Sequence, residues 1–130
     1  MEISVEFGEG RVVETAIGDY VVRTDQPVKD GGGGTAPSPS DLFLVSIAAC
    51  AGYYVLNFCL ERKIATAGSG VVMRTSTNEK TRLMDNIRIE IKLPPGFPEK
   101  YEKAVVRAVD LCWVKKNIET APAFDTVIVR

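Results

Sequence analysis

Two cysteines in opposite halves of the chain are the residues best suited to chemistry. Cys50 lies in Ser38-Pro39-Ser40-Asp41-Leu42-Phe43-Leu44-Val45-Ser46-Ile47-Ala48-Ala49-Cys50-Ala51-Gly52, and Cys112 in Ala108-Val109-Asp110-Leu111-Cys112-Trp113-Val114. Both segments read as helices with the thiol on the buried face. The chain contains no histidine, which excludes Ser-His and Cys-His pairs within it. Thiolate chemistry is the main nucleophilic and redox option that remains at neutral pH. An ordinary thiol ionises near pH 8.5, so only a few per cent is thiolate at pH 7. Cys50 falls about twelve residues into its helix, beyond the first turn where the helix dipole acts. A reactive Cys50 therefore needs a cation from another element.

The third cysteine has a different reading. Cys59 follows Cys50 by nine positions, which at 100° per residue places the two on opposite sides of a regular helix. Cys59 is expected to be structural. Cysteines at 50, 59 and 112 form no C-x-x-C pair and supply fewer ligands than a usual zinc site, so no metal and no cofactor is expected. An odd, small number of cysteines fits a reducing compartment, and the cytoplasm is the expected location. The Gly31–Gly34 run lacks both phosphate-loop patterns and reads as a flexible connector.

Composition sets the frame. The chain has 130 residues, 45% apolar and 25% charged, with a formal charge of −1. That predicts one domain over residues 1–130. It offers no basic field for nucleic acid. Residues 1–7 read as a strand rather than a signal peptide, and no apolar run is read as reaching the roughly 18–20 residues of a membrane span. Neither nucleic acid nor membrane is an expected partner.

The elements that must hold the thiols follow from pattern. Ile3, Val5 and Phe7 alternate with polar residues as in a half-buried strand. Gly8-Glu9-Gly10 is a turn. Arg11–Ala16 and Asp19–Thr24 extend an antiparallel meander. Residues 25–37 form a long loop. Ser38 as N-cap, Pro39 at the first helical position and Asp41 as capping-box acid start a helix. Its segment Leu42–Leu60 is apolar enough to be buried all round. Val71–Thr77 and Asn86–Leu93 are strands, the second with a strict in-out alternation. A second helix is expected from about Glu99 to Ile118, and a last strand over Asp125–Arg130. The fold class is α+β: antiparallel strands, a long buried central helix and a second helix.

In that order of elements the sequence resembles the OsmC/Ohr family of organic hydroperoxide reductases. The resemblance rests on Gly8-x-Gly10-Arg11, the Gly-rich loop, the Pro-started helix leading to Ala48-Ala49-Cys50, and the helix carrying Cys112. It implies an intertwined homodimer with an OsmC-like fold. It also implies a thiol peroxidase: Cys50 reduces an organic hydroperoxide, Cys112 resolves the sulfenate, and Arg11 supplies the activating cation. An external dithiol of lipoyl type would restore both thiols. Tyr53 and Tyr54, together with Phe43, are candidate walls of the hydroperoxide pocket, and Asn57 lies on the same side of the helix. Asp41 lies about 13 Å along the axis from its own Cys50. It reads as a capping acid or, alternatively, as an acid anchoring an arginine across a two-fold axis. Two positions depart from the family pattern. Ser40 stands where peroxidase members have Glu, and Trp113 where the second cysteine is usually followed by Pro. These departures keep a rival open, a non-peroxidase small-ligand-binding or thiol-sensor protein on the same fold.

Overall fold

The alternating residues at the N-terminus do form strands. In the computed structural model, which describes residues 1–130, Ile3–Phe7 (β1), Val13–Ile17 (β2) and Tyr20–Thr24 (β3) make an antiparallel meander in the order β1-β2-β3. Val5 is opposite Thr15, and Thr15 opposite Val22. The β1–β2 turn needs a glycine, because Gly10 has a φ of +61°. Every residue of β1 is exposed, so the expectation of a half-buried strand is corrected. The apolar face of Ile3, Val5 and Phe7 exists, but nothing within this chain covers it. The strands belong to the first of two compact units, Met1–Val45 and Ser46–Arg130.

The glycine loop is pinned, which corrects its reading as a flexible connector. Asp25 is buried, and its carboxylate gathers the loop around itself. It accepts hydrogen bonds from the backbone N–H of Gln26 at 2.7 Å, Gly33 at 3.2 Å and Thr35 at 3.1 Å, and from the Thr35 hydroxyl at 2.6 Å. Gly32 passes so close that a Cβ there would lie 2.0 Å from the Gln26 carbonyl oxygen. The Thr35 hydroxyl, followed by the backbone donors, holds the Asp25 carboxyl down at a pKa of about 2. A carboxyl depressed on folding contributes stability above its unfolded value near 4 and loses it as pH falls towards 2. Asp25→Asn is therefore expected to lower Tm by roughly 5 °C at pH 7. The gap to wild type should close as pH falls through this window. A Tm series from pH 7 to pH 2.5 checks this, and an unchanged Tm at pH 7 would contradict the role.

The long helix, α1, spans Pro39–Glu61. Its start is the expected capping box. The Asp41 backbone N–H donates to the Ser38 hydroxyl at 3.1 Å, and the Ser38 N–H donates to the Asp41 carboxylate at 2.9 Å. These bonds hold the Asp41 carboxyl below its ordinary range, the backbone bond being the larger cause. The helix is not buried all round. Ile47, Ala51, Val55, Phe58 and Cys59 form its buried face, whereas Val45, Tyr53, Leu56 and Leu60 are exposed. By length and composition alone α1 is apolar enough to cross a membrane, with a mean hydropathy of 1.8 over 18 residues. That corrects the expectation that no run reaches this length.

In the second unit Gly70–Thr77 (β4) and Met84–Lys92 (β5) pair antiparallel, with Met73 opposite Ile89. A 3-10 turn at Glu99–Tyr101 leads into Glu102–Asp110 (α2), and Trp113–Glu119 (α3) follows. The core is Ala51, Val55 and Phe58 of α1 against Val105 and Val109 of α2, with Ile89, Ile91 and Leu93 packed on it. Phe58 lies 5.9 Å from Tyr101 and 6.2 Å from Phe97, and the Arg62 guanidinium stacks over the Phe58 ring at 3.6 Å.

Two expectations fail here. The second helix is not continuous to Ile118. The chain turns extended at Cys112, with φ −48° and ψ 124°, and restarts as α3. The predicted strand Asp125–Arg130 does not form, and Phe124, Val127, Ile128 and Val129 are exposed. A strand needs a hydrogen-bonded neighbour, and no strand of this chain pairs with this segment.

Candidate active site

Cys50 sits on α1 next to the buried Ala51 and is itself half-buried. Cys112 is placed by the corner between α2 and α3. Its N–H donates to the Val109 carbonyl at 3.0 Å, closing α2, and its carbonyl accepts from the Lys116 N–H at 2.9 Å, opening α3. The corner is clamped from outside by Lys115, whose ammonium pairs with the Asp110 carboxylate and, at 3.6 Å, with Glu119. That pairing, Asp110 first, raises the Lys115 pKa. The result is a buried thiol, 1% exposed, held at a fixed point rather than along a helix stripe.

That fixed point faces Cys50. The Cys50 side chain is near enough to Cys112 to influence its ionisation. Burial raises the Cys112 pKa first, and the neighbouring Cys50 raises it further. The backbone N–H groups of Lys115 and Val114 pull it the other way. Cys112 is thus a protonated partner beside the second thiol. The two thiols are neighbours, and no disulfide joins them. Cys59 is fully buried on the packed face of α1, and burial raises its pKa against a weaker pull from Arg62. It has the structural place expected of it.

The other candidates are distributed unevenly. Tyr54 packs against the core and meets Tyr53 edge-on at 5.7 Å, but Tyr53 itself is 59% exposed. Tyr54 and Asn57 line a groove between α1 and α2, ending at Leu111 beside Cys112. Phe43, Asp41 and Arg11 belong to the first unit. Phe43 is half exposed. Asp41 is committed to the capping box. Arg11 is exposed at the β1–β2 turn with its guanidinium alongside Gly31, and no carboxylate forms an ion pair with it. Arg23, the other arginine of the meander, is paired with Glu14 at 3.1 Å. No group of three or more Cys, Asp or Glu side chains is arranged to hold a metal.

Sequence reasoning missed two features, one in each compact unit. One is the Lys115–Asp110 clamp, whose five-residue spacing is not a helical pairing and so carried no signal. The other is Asp25, whose signal was present: a carboxylate at the start of the glycine-rich loop, with Thr35 closing the glycine run.

Comparison with known proteins decides the family. The OsmC-like protein model matches residues 31–127, most of the chain. The chain belongs to the OsmC-like family. The match begins after Arg11, so the glycine-arginine turn lies outside it. Solved structures share the fold. One is a Psychrobacter arcticus 273-4 protein ascribed to osmotic stress induction and the detoxification response. It has a TM-score of 0.73 and 22% identity, over 88% of this chain and 85% of that one. An organic hydroperoxide resistance protein OsmC from Legionella pneumophila has a TM-score of 0.55 and 22% identity, over 90% and 87%. A Vibrio cholerae protein ascribed to organic hydroperoxide resistance, with captopril bound in one of its active sites, has 0.57 and 22%, over 93% and 86%. No curated protein matches the chain. This family is associated with redox chemistry and peroxide resistance.

Proposed function

We propose that this OsmC-like protein is a thiol peroxidase that reduces organic hydroperoxides to alcohols. The observation that carries the reading is the proximity of half-buried Cys50 to buried Cys112. The Cys50 thiolate attacks the terminal oxygen of ROOH. The O–O bond breaks, RO⁻ takes a proton and leaves as ROH, and Cys50 becomes a sulfenic acid. The Cys112 thiol then attacks the Cys50 sulfur and expels water, leaving a disulfide. A small dithiol of lipoyl type reduces this disulfide and is itself oxidised. The sum is ROOH plus dithiol giving ROH, water and the oxidised reductant.

Arg11 is the cation that this reading assigns to the thiolate, in keeping with a guanidinium that has no carboxylate of its own. Tyr53, Tyr54 and Phe43 are assigned to the substrate pocket. The reading takes the protein to be a cytoplasmic homodimer, because three unpatterned thiols suit a reducing compartment and because the exposed faces of β1 and of residues 124–129 are apolar. Ser40 and Trp113 depart from the usual pattern without removing either thiol.

Turnover is the test. Cumene hydroperoxide should be consumed steadily in the presence of dihydrolipoamide and only stoichiometrically without a reductant. No consumption in either case would favour the rival, a ligand-binding protein on this fold.

A further inference from the structure

The groove between α1 and α2 shares Tyr54 with the pocket assigned to the hydroperoxide, but it also carries a recognition group that the thiol chemistry does not use. It has a volume of about 270 Å³. Its apolar lining comes from Tyr54 and Phe58 on α1 and from Ala104, Ala108 and Leu111 on α2. Two small residues on α2 create the space. The volume lies just below the range of about 300–1,000 Å³ usual for small-molecule sites, which suits a slender ligand.

Its charges are unbalanced. Glu61 and Arg62, which both line the groove, pair with each other at 3.7 Å, and Glu61 also accepts from Asn57 at 3.0 Å. Arg62 is further fixed by its stacking on Phe58. Arg107 has no such partner. It lines the same groove, makes no ion pair and no hydrogen bond, and is exposed. Asp110, the acid nearest to it in sequence, is taken by Lys115. The groove therefore combines an apolar floor with one uncompensated guanidinium at its side, a surface that an apolar chain ending in an anion would complement in both respects.

We propose that the α1–α2 groove binds a medium-chain monocarboxylate, with its head on Arg107 and its chain over Ala104, Ala108 and Leu111. Guanidinium and carboxylate make a two-point, charge-assisted contact that a neutral head group cannot reproduce. Arg107 is then a recognition residue, and it takes no part in thiol chemistry.

Calorimetric titration of the full chain with decanoate and with decanol tests this. Decanoate should bind about tenfold or more tightly than decanol, as a charge-assisted pair at a partly exposed site allows. Arg107→Gln should remove that preference while leaving the affinity for decanol and the turnover of cumene hydroperoxide unchanged. Arg107→Lys should restore part of it. Ala108→Phe, which fills the floor, should weaken both ligands. The same titration with Cys50→Ser should match wild type, so the result is independent of any peroxidase activity. Equal affinities for the two ligands, no binding of decanoate, or a preference that survives Arg107→Gln would each overturn the proposal.

Discussion

Cys50→Ser is expected to reduce peroxide consumption to background, because a serine hydroxyl at this position has neither the acidity nor the nucleophilicity of a thiol. Cys112→Ser should behave differently. It leaves the attacking sulfur in place, so a first equivalent of hydroperoxide should still be reduced. Turnover then stops, since the Cys50 sulfenic acid has lost the thiol that lies beside it. Excess peroxide should drive that sulfur on to sulfinate, two oxygens heavier than the reduced thiol by mass spectrometry. Cys59→Ser is the control. Cys59 is fully buried on the packed face of α1, away from this exchange, so its replacement should lower stability modestly and leave turnover intact. Equal activity in Cys50→Ser and wild type would remove the enzyme reading.

The second large effect concerns assembly. Each of the two compact units leaves large apolar side chains exposed. Ile3, Val5 and Phe7 lie uncovered along β1, and Phe124, Val127, Ile128 and Val129 lie uncovered at the C-terminus. Soluble monomers seldom leave such faces open, and obligate dimers commonly bury more than about 2,000 Å² of them. Light scattering at micromolar concentration should report twice 14.2 kDa. Val5→Asp, which sets a charge into the β1 face, should weaken association by at least about tenfold. A stable wild-type monomer would contradict both the dimer and any site shared between two copies.

These two expectations also mark what could be read from the amino-acid order. The capping box was legible down to its hydrogen bonds, since Ser38, Pro39 and Asp41 act through neighbouring backbone. The meander and β5 were legible because alternation reports a strand directly. The meeting of Cys50 and Cys112 followed from the family resemblance rather than from local pattern. The break at Cys112 was not legible. No Pro or Gly marks it, the apolar stripe runs on across it, and the corner depends on Lys115 reaching back to Asp110. Burial was misread in β1, in α1 and at the C-terminus for one common reason. Periodicity tells which residues form an apolar face. It does not tell whether that face is covered by the same molecule. Residues 125–130 have a strand's composition but no strand in this chain to pair with.

The central claim is that Cys50 and Cys112 form one redox unit, and a thiol count tests it most directly. The fully reduced protein should titrate three thiols per chain under denaturing conditions, as its composition requires. After one equivalent of cumene hydroperoxide the count should fall by two, with Cys59 the survivor and Cys50 linked to Cys112 in the peptide map. A count that stays at three, or a disulfide that includes Cys59, would contradict the account.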